Sequence, residues 1–391
     1  MNTESKILNG VRILSTDPDR RIGVYAIRCL GRAGAKVDSI GVKTQKHDPM
    51  GFYSKYLHSK VYFNEDNYRS QFKNYLLQHS KNYDVINPID VSKMIDVMDI
   101  DEEFNLKLKY LLPCKVNLLI ADNKEKIMEH AEKIGIPCPK TLTRVEPEDL
   151  SDPDKLGITF PCIIKFRGDN RITHWRPEER YRIVYERKDL IKSYIEMHAI
   201  EQYPVIQEYI EGVGVGFFAL YDKNKQLMAQ FCHQRVREYP ISGGPSSCCE
   251  SIYDERLIKL GRTLLESLDW MGLAMVEFKY DKNRDEFYLL EINPRYWGSL
   301  PLAVYSGVNF PVLHIMSILG INFKPILKYR CGIKMRFIDK DIKSILMSLR
   351  LEAGFSNKIH LVRELFNPFI KEGFLTLDDI GLLYNVIRTN L

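Results

Sequence analysis

The sequence predicts a mixed α/β and α+β protein, with a small parallel sheet covered by helices ahead of a larger region of antiparallel strands. Three observations carry that expectation. Short apolar runs alternate with helical stretches over the first 120 residues, the pattern of a parallel sheet with crossover helices. The two prolines of IPCPKT, just after a stopped helix, fix an extended connector into a second region. Beyond it, LAMVEFKYDKNRDEFYLLEINPRYWGS holds two strand-like runs around a charged loop of turn formers, which implies a hairpin.

Taken in order, Val11 to Thr16 reads as a buried strand, and Gly23 to Gly31 as a helix with Val24, Ile27 and Leu30 on one face. Lys36 to Val42 returns as a strand, as do Lys60 to Phe63 and Asp84 to Pro88, with a helix between them that presents Tyr68, Phe72, Tyr75 and Leu76. The loop DPDRRIG after the first strand lacks the GxGxxG spacing of a dinucleotide site. Asp122 is the expected N-cap of the next helix, with Glu125 as its capping-box partner, an apolar stripe at Ile127, Met128, Ala131 and Ile134, and Gly135 as the stop. Strands are expected at Thr159 to Lys165, at Val205 to Ile210 before the turn EGVGVG, and for about fifteen residues from Phe217. A helix from Asp254 to Leu268 leads into the hairpin at 273 to 293. The stretch LTLDDIGLLYNVI has the spacing of a docking helix.

At 391 residues the chain is long enough for two or three domains. Hydrophobic residues at 45% and charged residues at 27% exclude a collagen-like or disordered chain. A formal charge of +5 over this length is too small to imply nucleic acid or an anionic membrane. The apolar stretches, such as Val312 to Ile321, fall short of the roughly 18 residues a spanning helix needs, and the N-terminus has no leader pattern, so the expected location is cytoplasmic. The eight cysteines form no CxxC or zinc spacing; set in runs such as LLPCKVNLLI and PCIIKF, they are expected as reduced core residues.

The hairpin carries the chemistry. Pairing Tyr280 with Tyr288 sets Glu277 opposite Glu291, and period-two alternation puts Glu277, Lys279, Glu291, Asn293 and Arg295 on one face, with Val276, Phe278, Leu290 and Ile292 in a core. Two carboxylates across a ladder repel unless a cation sits between them, and with an amide oxygen they are hard ligands suited to Mg²⁺. Spacing alone leaves this open beside a solvated hairpin neutralised by Lys279 and Arg295.

Glu277 with Glu291-Ile292-Asn293-Pro294-Arg295 resembles the metal-binding signature of the ATP-grasp superfamily. The resemblance runs from about Asn117 to Val308: DNKEKIMEHAEKIGIPCPKT is similar to the family's opening helix, PCIIKF to a phosphate-contacting strand, VIQEYIEG to the adenine hinge, and CHQRVREYPISGGPSS to the segment facing the transferred phosphate. It implies an ATP-grasp fold (117–325, in lobes of about 117–204 and 205–325) behind a Rossmann-like pre-ATP-grasp domain (1–116), with a helical extension at 326–391. It implies Lys124 and Lys165 on nucleotide phosphates, and Glu208 with the backbone of Tyr209 and Ile210 on adenine. Glu277, Glu291 and Asn293 are implied on Mg²⁺, or Mn²⁺, and Arg235 and Arg295 at the reacting groups, with Glu238 and the Gly243-Gly244 loop near Arg235. The acid that relatives place on the ribose would fall near Gly214, so Glu211 takes that role. Arg235 and Arg237, two apart on a strand, would share a face, with Glu238, Glu250 or an acidic substrate to satisfy them. The lid between Lys165 and the hinge is expected in FRGDNRITHWRPEERYRIVYERKD, where acids interleaved among the arginines argue against nucleic acid.

What the resemblance implies about function is ATP-dependent joining of a carboxylate to an amine through an acyl phosphate, as in carbamoyl-phosphate-synthase-like carboxylate-amine ligases. The expected partners are small-molecule carboxylates and amines, without nucleic acid or membrane, and a homodimer is allowed. Two other readings stay open: a nucleotide-binding module without turnover, and a ligase using a thiol or bicarbonate.

Overall fold

The computed structural model describes residues 6–43, 47–166, 181–241, 244–351 and 354–390. The N-terminal region contains β1 (Arg12–Ser15), α1 (Arg21–Arg32), β2 (Lys36–Val42), β3 (Ser59–Phe63), α2 (Tyr68–His79), β4 (Val85–Asn87) and α3 (Val91–Phe104). Its strands form a parallel sheet in the order β3-β2-β1-β4. Leu14, Ile40 and Ile86 pack beneath Phe72 and Leu76 of α2 and Val97 and Ile100 of α3. Ile13, Val37 and Val85 face the other way, onto α1 and the rest of the molecule.

Two helices, α4 (Lys115–Asp122) and α5 (Lys124–Lys133), lead out of this region. Asn123, not Asp122, caps α5: its side chain accepts from the Lys126 amide, and Asp122 instead ends α4. Glu125 therefore closes no capping box and pairs with Arg144 at 3.6 Å. Gly135, at φ +73°, supplies the left-handed stop that a residue with a Cβ rarely adopts. Cys114, expected in a core, is exposed at the start of α4.

The small lobe holds β5 (Thr141–Leu142), β6 (Cys162–Lys165), β7 (Tyr181–Val184), α6 (Arg187–His198) and β8 (Val205–Glu208), with the antiparallel order β5-β8-β6-β7. Cys162, Ile164 and Ile206 pack under Leu190, Tyr194 and Met197 of α6. Of the expected lid, 166–189, residues 167–180 lie outside the described residues, and its last part is β7 and the start of α6.

The large sheet is built from β9 (Val213–Tyr221), β10 (Leu227–Glu238), β11 (Ser246–Ile252), then, after α7 (Glu255–Ser267), β12 (Gly272–Asp281) and β13 (Glu286–Asn293). Asp254 caps α7 through the amides of Arg256 and Leu257. The chain continues through α8 (Leu300–Ser306), α9 (Phe310–Leu319), β14 (Lys334–Arg336), α10 (Ile338–Leu351), α11 (Phe355–Leu365), β15 (Lys371–Glu372) and α12 (Ile380–Asn390). The residues after 325 thus supply strands as well as helices: the sheet order is β13-β12-β9-β10-β11-β14-β15. One face, with Phe217, Val276, Phe278 and Leu289, closes over Leu257, Leu264 and Leu265 of α7. The opposite face, with Phe218, Phe231, Leu273 and Met275, meets the N-terminal region. No single helix among the described residues is long and apolar enough to cross a membrane; α8 and α9, apolar enough together, are bent by 86° and largely buried.

Candidate active site on the large sheet

The predicted register of the hairpin is present at its centre: Glu277 stands opposite Glu291 and Val276 opposite Ile292. It slips by one beyond Glu277, where Phe278 pairs with Leu289 and Tyr280 with Phe287 rather than Tyr288. This irregularity sends Leu289 rather than Leu290 into the core. A bulge re-aims side chains without altering composition, which is why alternation alone missed it.

Glu277, Gly216 and His233 form one row across β12, β9 and β10, and Lys279 and Gly214 lie on the next row beside Arg235. The glycines make room on this face for the side chains of neighbouring residues. A Cβ on Gly214 would lie 2.7 Å from Cδ of Arg235, so the arginine stem crosses the space that a side chain would fill. Its guanidinium donates to Glu277, to Glu238 at 3.0 Å and to the Gly244 carbonyl at 3.0 Å. Glu291 pairs with Lys124 at 3.5 Å and accepts from the Asn293 amide at 2.8 Å. Burial, with Glu291 adding, pushes the Glu277 carboxyl up against the pull of Arg235; Glu291, partly exposed, is held down by Lys124 and Asn293 against its desolvation.

Lys165 ends β6 and donates to Oε1 of Gln207 at 2.8 Å, while Nε2 of Gln207 donates to Thr141 at 2.9 Å. Burial, reinforced by Lys124, lowers Lys165 to about 8, and Glu291 and Glu277 oppose the shift. Arg295 donates to the Tyr296 carbonyl at 3.0 Å; burial lowers its pKa, opposed by Asp90, Glu291 and Asp122. Lys124, Lys165, Arg235, Arg295, Glu277, Glu291 and Asn293 are therefore within electrostatic or hydrogen-bonding reach of one another.

Glu208 is placed differently. It pairs across β6 with Cys162, so alternation sets it on the face turned from Lys165, and it accepts from Arg284 of the hairpin loop at 3.0 Å. Gln207, rather than Glu208, shares the face of Lys165. Tyr209 is half-buried, Ile210 buried and Glu211 exposed. Arg235 and Arg237 do not share partners: the pairing of β10 with β11 shifts between them, and Arg237 turns to Asp341 of α10, while Glu250 accepts from Gln234. Composition alone hides His233, whose imidazole is buried with both nitrogens unpartnered and lowered to about 3 by burial and then by Arg235.

The donors suit a divalent ion. Among the described residues no group of three or more His, Cys, Asp or Glu side chains could hold a metal. Glu277, buried, and Glu291, partly exposed, are opposed acids whose repulsion is now relieved by Arg235 and Lys124, and the Asn293 oxygen would add a third hard donor.

Residues 205–340 match the family model described as ATP-grasp in the biosynthetic pathway with Ter operon. The chain is 24% identical over 218 residues to the carbamoyl phosphate synthase large chain, C-terminal section, of Methanopyrus kandleri, covering 53% of this chain and 39% of that one. It is 26% identical over 199 residues to the D-aspartate ligase of Enterococcus faecium, covering 48% of this chain and 47% of the ligase. The matches thus span less than half the length of either relative. The fold is similar, at a TM-score of 0.66 and 14% identity over 83% of this chain and 73% of the other, to the biotin carboxylase domain of Hydrogenobacter thermophilus 2-oxoglutarate carboxylase, solved with MgADP, ADP and bicarbonate. Fold, family match and relatives agree on a similarity to the ATP-grasp superfamily.

Proposed function

We propose that this chain is an ATP-dependent ligase that activates a small-molecule carboxylate as an acyl phosphate and joins it to an amine, releasing ADP and phosphate. The observation that carries the proposal is the opposed pair Glu277, buried, and Glu291, partly exposed, set among Lys124, Lys165, Arg235 and Arg295. Such a cluster is costly for stability and suited to the charge that develops in phosphoryl transfer, which requires positioning and neutralisation rather than a nucleophilic side chain.

In this reading Lys165 and Lys124 bind the nucleotide phosphates, Gln207 and the backbone of Tyr209 and Ile210 line the base, and Glu211 reaches the ribose. Arg235 and Arg295 orient the transferred phosphoryl group and the carboxylate. Glu277, Glu291 and Asn293 would hold Mg²⁺ or Mn²⁺, which supplies neutralisation of phosphate oxygens. The likeness to D-aspartate ligase supports an amine acceptor, and the MgADP held by the biotin carboxylase neighbour supports the nucleotide and metal. The reading places the enzyme in the cytoplasm and allows a homodimer.

Phosphate release from Mg·ATP over a pool of carboxylic and amino acids, with hydroxylamine to trap an acyl phosphate as its hydroxamate, tests the proposal. ADP and hydroxamate that appear with one carboxylate and vanish in Glu291→Gln support it. Failure of the chain to bind Mg·ATP would sink it.

A further inference from the structure

The C-terminal region reaches the back of the site through a second arginine of the same strand. Arg237 donates to Asp341 of α10 twice, Nε to Oδ1 at 2.8 Å and Nη2 to Oδ2 at 2.9 Å, and lies 3.4 Å from Glu364 of α11. Asp341, whose side chain is 1% exposed, also accepts from Ser247 of β11 at 3.2 Å. One turn along α10, the Ser344 hydroxyl donates to the backbone carbonyl of Glu238 at 2.8 Å. Glu238 is the residue whose carboxylate holds Arg235. Arg336 of β14 donates to the carbonyls of Glu364 and Leu365, which fixes the end of α11 behind Arg237.

This stretch of β10 is where the sheet specifies geometry least. Pairing with β11 is irregular both between Arg235 and Arg237 and between Arg237 and Glu238, so the ladder does not by itself fix where Arg235 points. A bidentate guanidinium–carboxylate contact is directional, and buried charges of this kind hold a geometry even where they add little stability.

We propose that Asp341 is a positioning residue: through Arg237, with Ser344 on the Glu238 carbonyl, α10 holds the irregular end of β10 so that Arg235 bridges Glu277 and Glu238. The proposal rests on the reading of Arg235 as a group acting on the transferred phosphate, and it gives the residues after 325 a role in the reaction.

Two measurements on the full chain test it. Hydrogen exchange followed by mass spectrometry needs no substrate: Asp341→Asn, and the milder Ser344→Ala, should speed exchange in peptides covering 233–238 while leaving 213–221 unchanged. Unchanged exchange at 233–238 in a folded Asp341→Asn overturns the proposal. Kinetics then use the carboxylate that supports turnover. Asp341→Asn should lower kcat about 10²-fold, with KM for ATP moved less than about threefold, and Asp341→Glu should restore part of it. In an Arg235→Lys background the same substitution should cost little more, because two changes acting through one group are not additive. Full additivity overturns the proposal. Absence of turnover in the unaltered chain would instead count against the ligase reading, and the exchange measurement would still decide the role of Asp341.

Discussion

Among the described residues arginine meets carboxylate out of water at Arg28, Arg235 and Arg237, and the first two are built to different ends. Arg28 of α1, with a side chain 4% exposed, donates to Asp379 at 2.7 Å and to the Phe374 carbonyl at 2.6 Å; Asp379, fully buried, also accepts from the Ser54 hydroxyl at 2.8 Å and the Lys55 amide at 3.0 Å. Both oxygens of the acid are satisfied and no like charge opposes it. At Arg235 the carboxylate it holds, Glu277, faces a second acid across the ladder. The first arrangement closes a joint between the N-terminal region and the C-terminal segment. The second gathers two like charges and relieves them with Arg235 and Lys124, a cluster of titratable groups of the kind that marks a candidate site.

The sharpest way to break that comparison is to neutralise one acid in each. Glu291→Gln should abolish hydroxamate formation, a loss of at least about 10²-fold, while the melting temperature falls only slightly, because the lost pair with Lys124 is partly offset by relief of the contact with Glu277. If stability fell as activity did, the pair would be a structural device like the first. Asp379→Asn should do the reverse, costing about 3–5 kcal/mol by stranding a buried guanidinium, visible in a denaturant melt, with kcat unchanged in the folded fraction.

A smaller effect follows from Lys165, whose pKa of about 8 lies below that of an unfolded lysine. Between about pH 8 and pH 10.5 the unfolded chain binds the extra proton, so this group makes stability rise with pH across that window. Phosphate favours the ammonium form, so Mg·ATP binding near pH 8 to 9 should take up a proton, seen as a binding enthalpy that depends on the ionisation enthalpy of the buffer. Gln207→Glu should raise the lysine pKa and abolish that uptake at pH 8. The least consequence is expected of Arg284→Ala, since the pair with Glu208 is half in water: no measurable shift in the melt, and a change of only a few-fold in nucleotide affinity.

The same comparison shows what the sequence could disclose. Periodicity located β2 to the residue, α7 within a residue at each end, and the opposition of Glu277 to Glu291, because each depends on neighbours within a turn or a hairpin. The slip after Glu277 escaped, since a bulge is settled by packing on both faces of the sheet. The place of Gln207, rather than Glu208, on the face of Lys165 turned on the phase of a four-residue strand, where one position reverses every side chain. The partners of Arg237 and Arg28 lie 104 and 351 residues away, and no local pattern couples positions so distant.

The room left by Gly214 and Gly216 bears on how this protein should be dissected. An alanine scan would score both glycines as essential, although neither offers an atom to the reaction. A methyl group on Gly214 would meet the stem of Arg235, and one on Gly216 would fall 2.8 Å from the Phe218 ring and 3.3 Å from Nε2 of His233. Their contribution is room for their neighbours, and a catalogue of functional groups has no column for it.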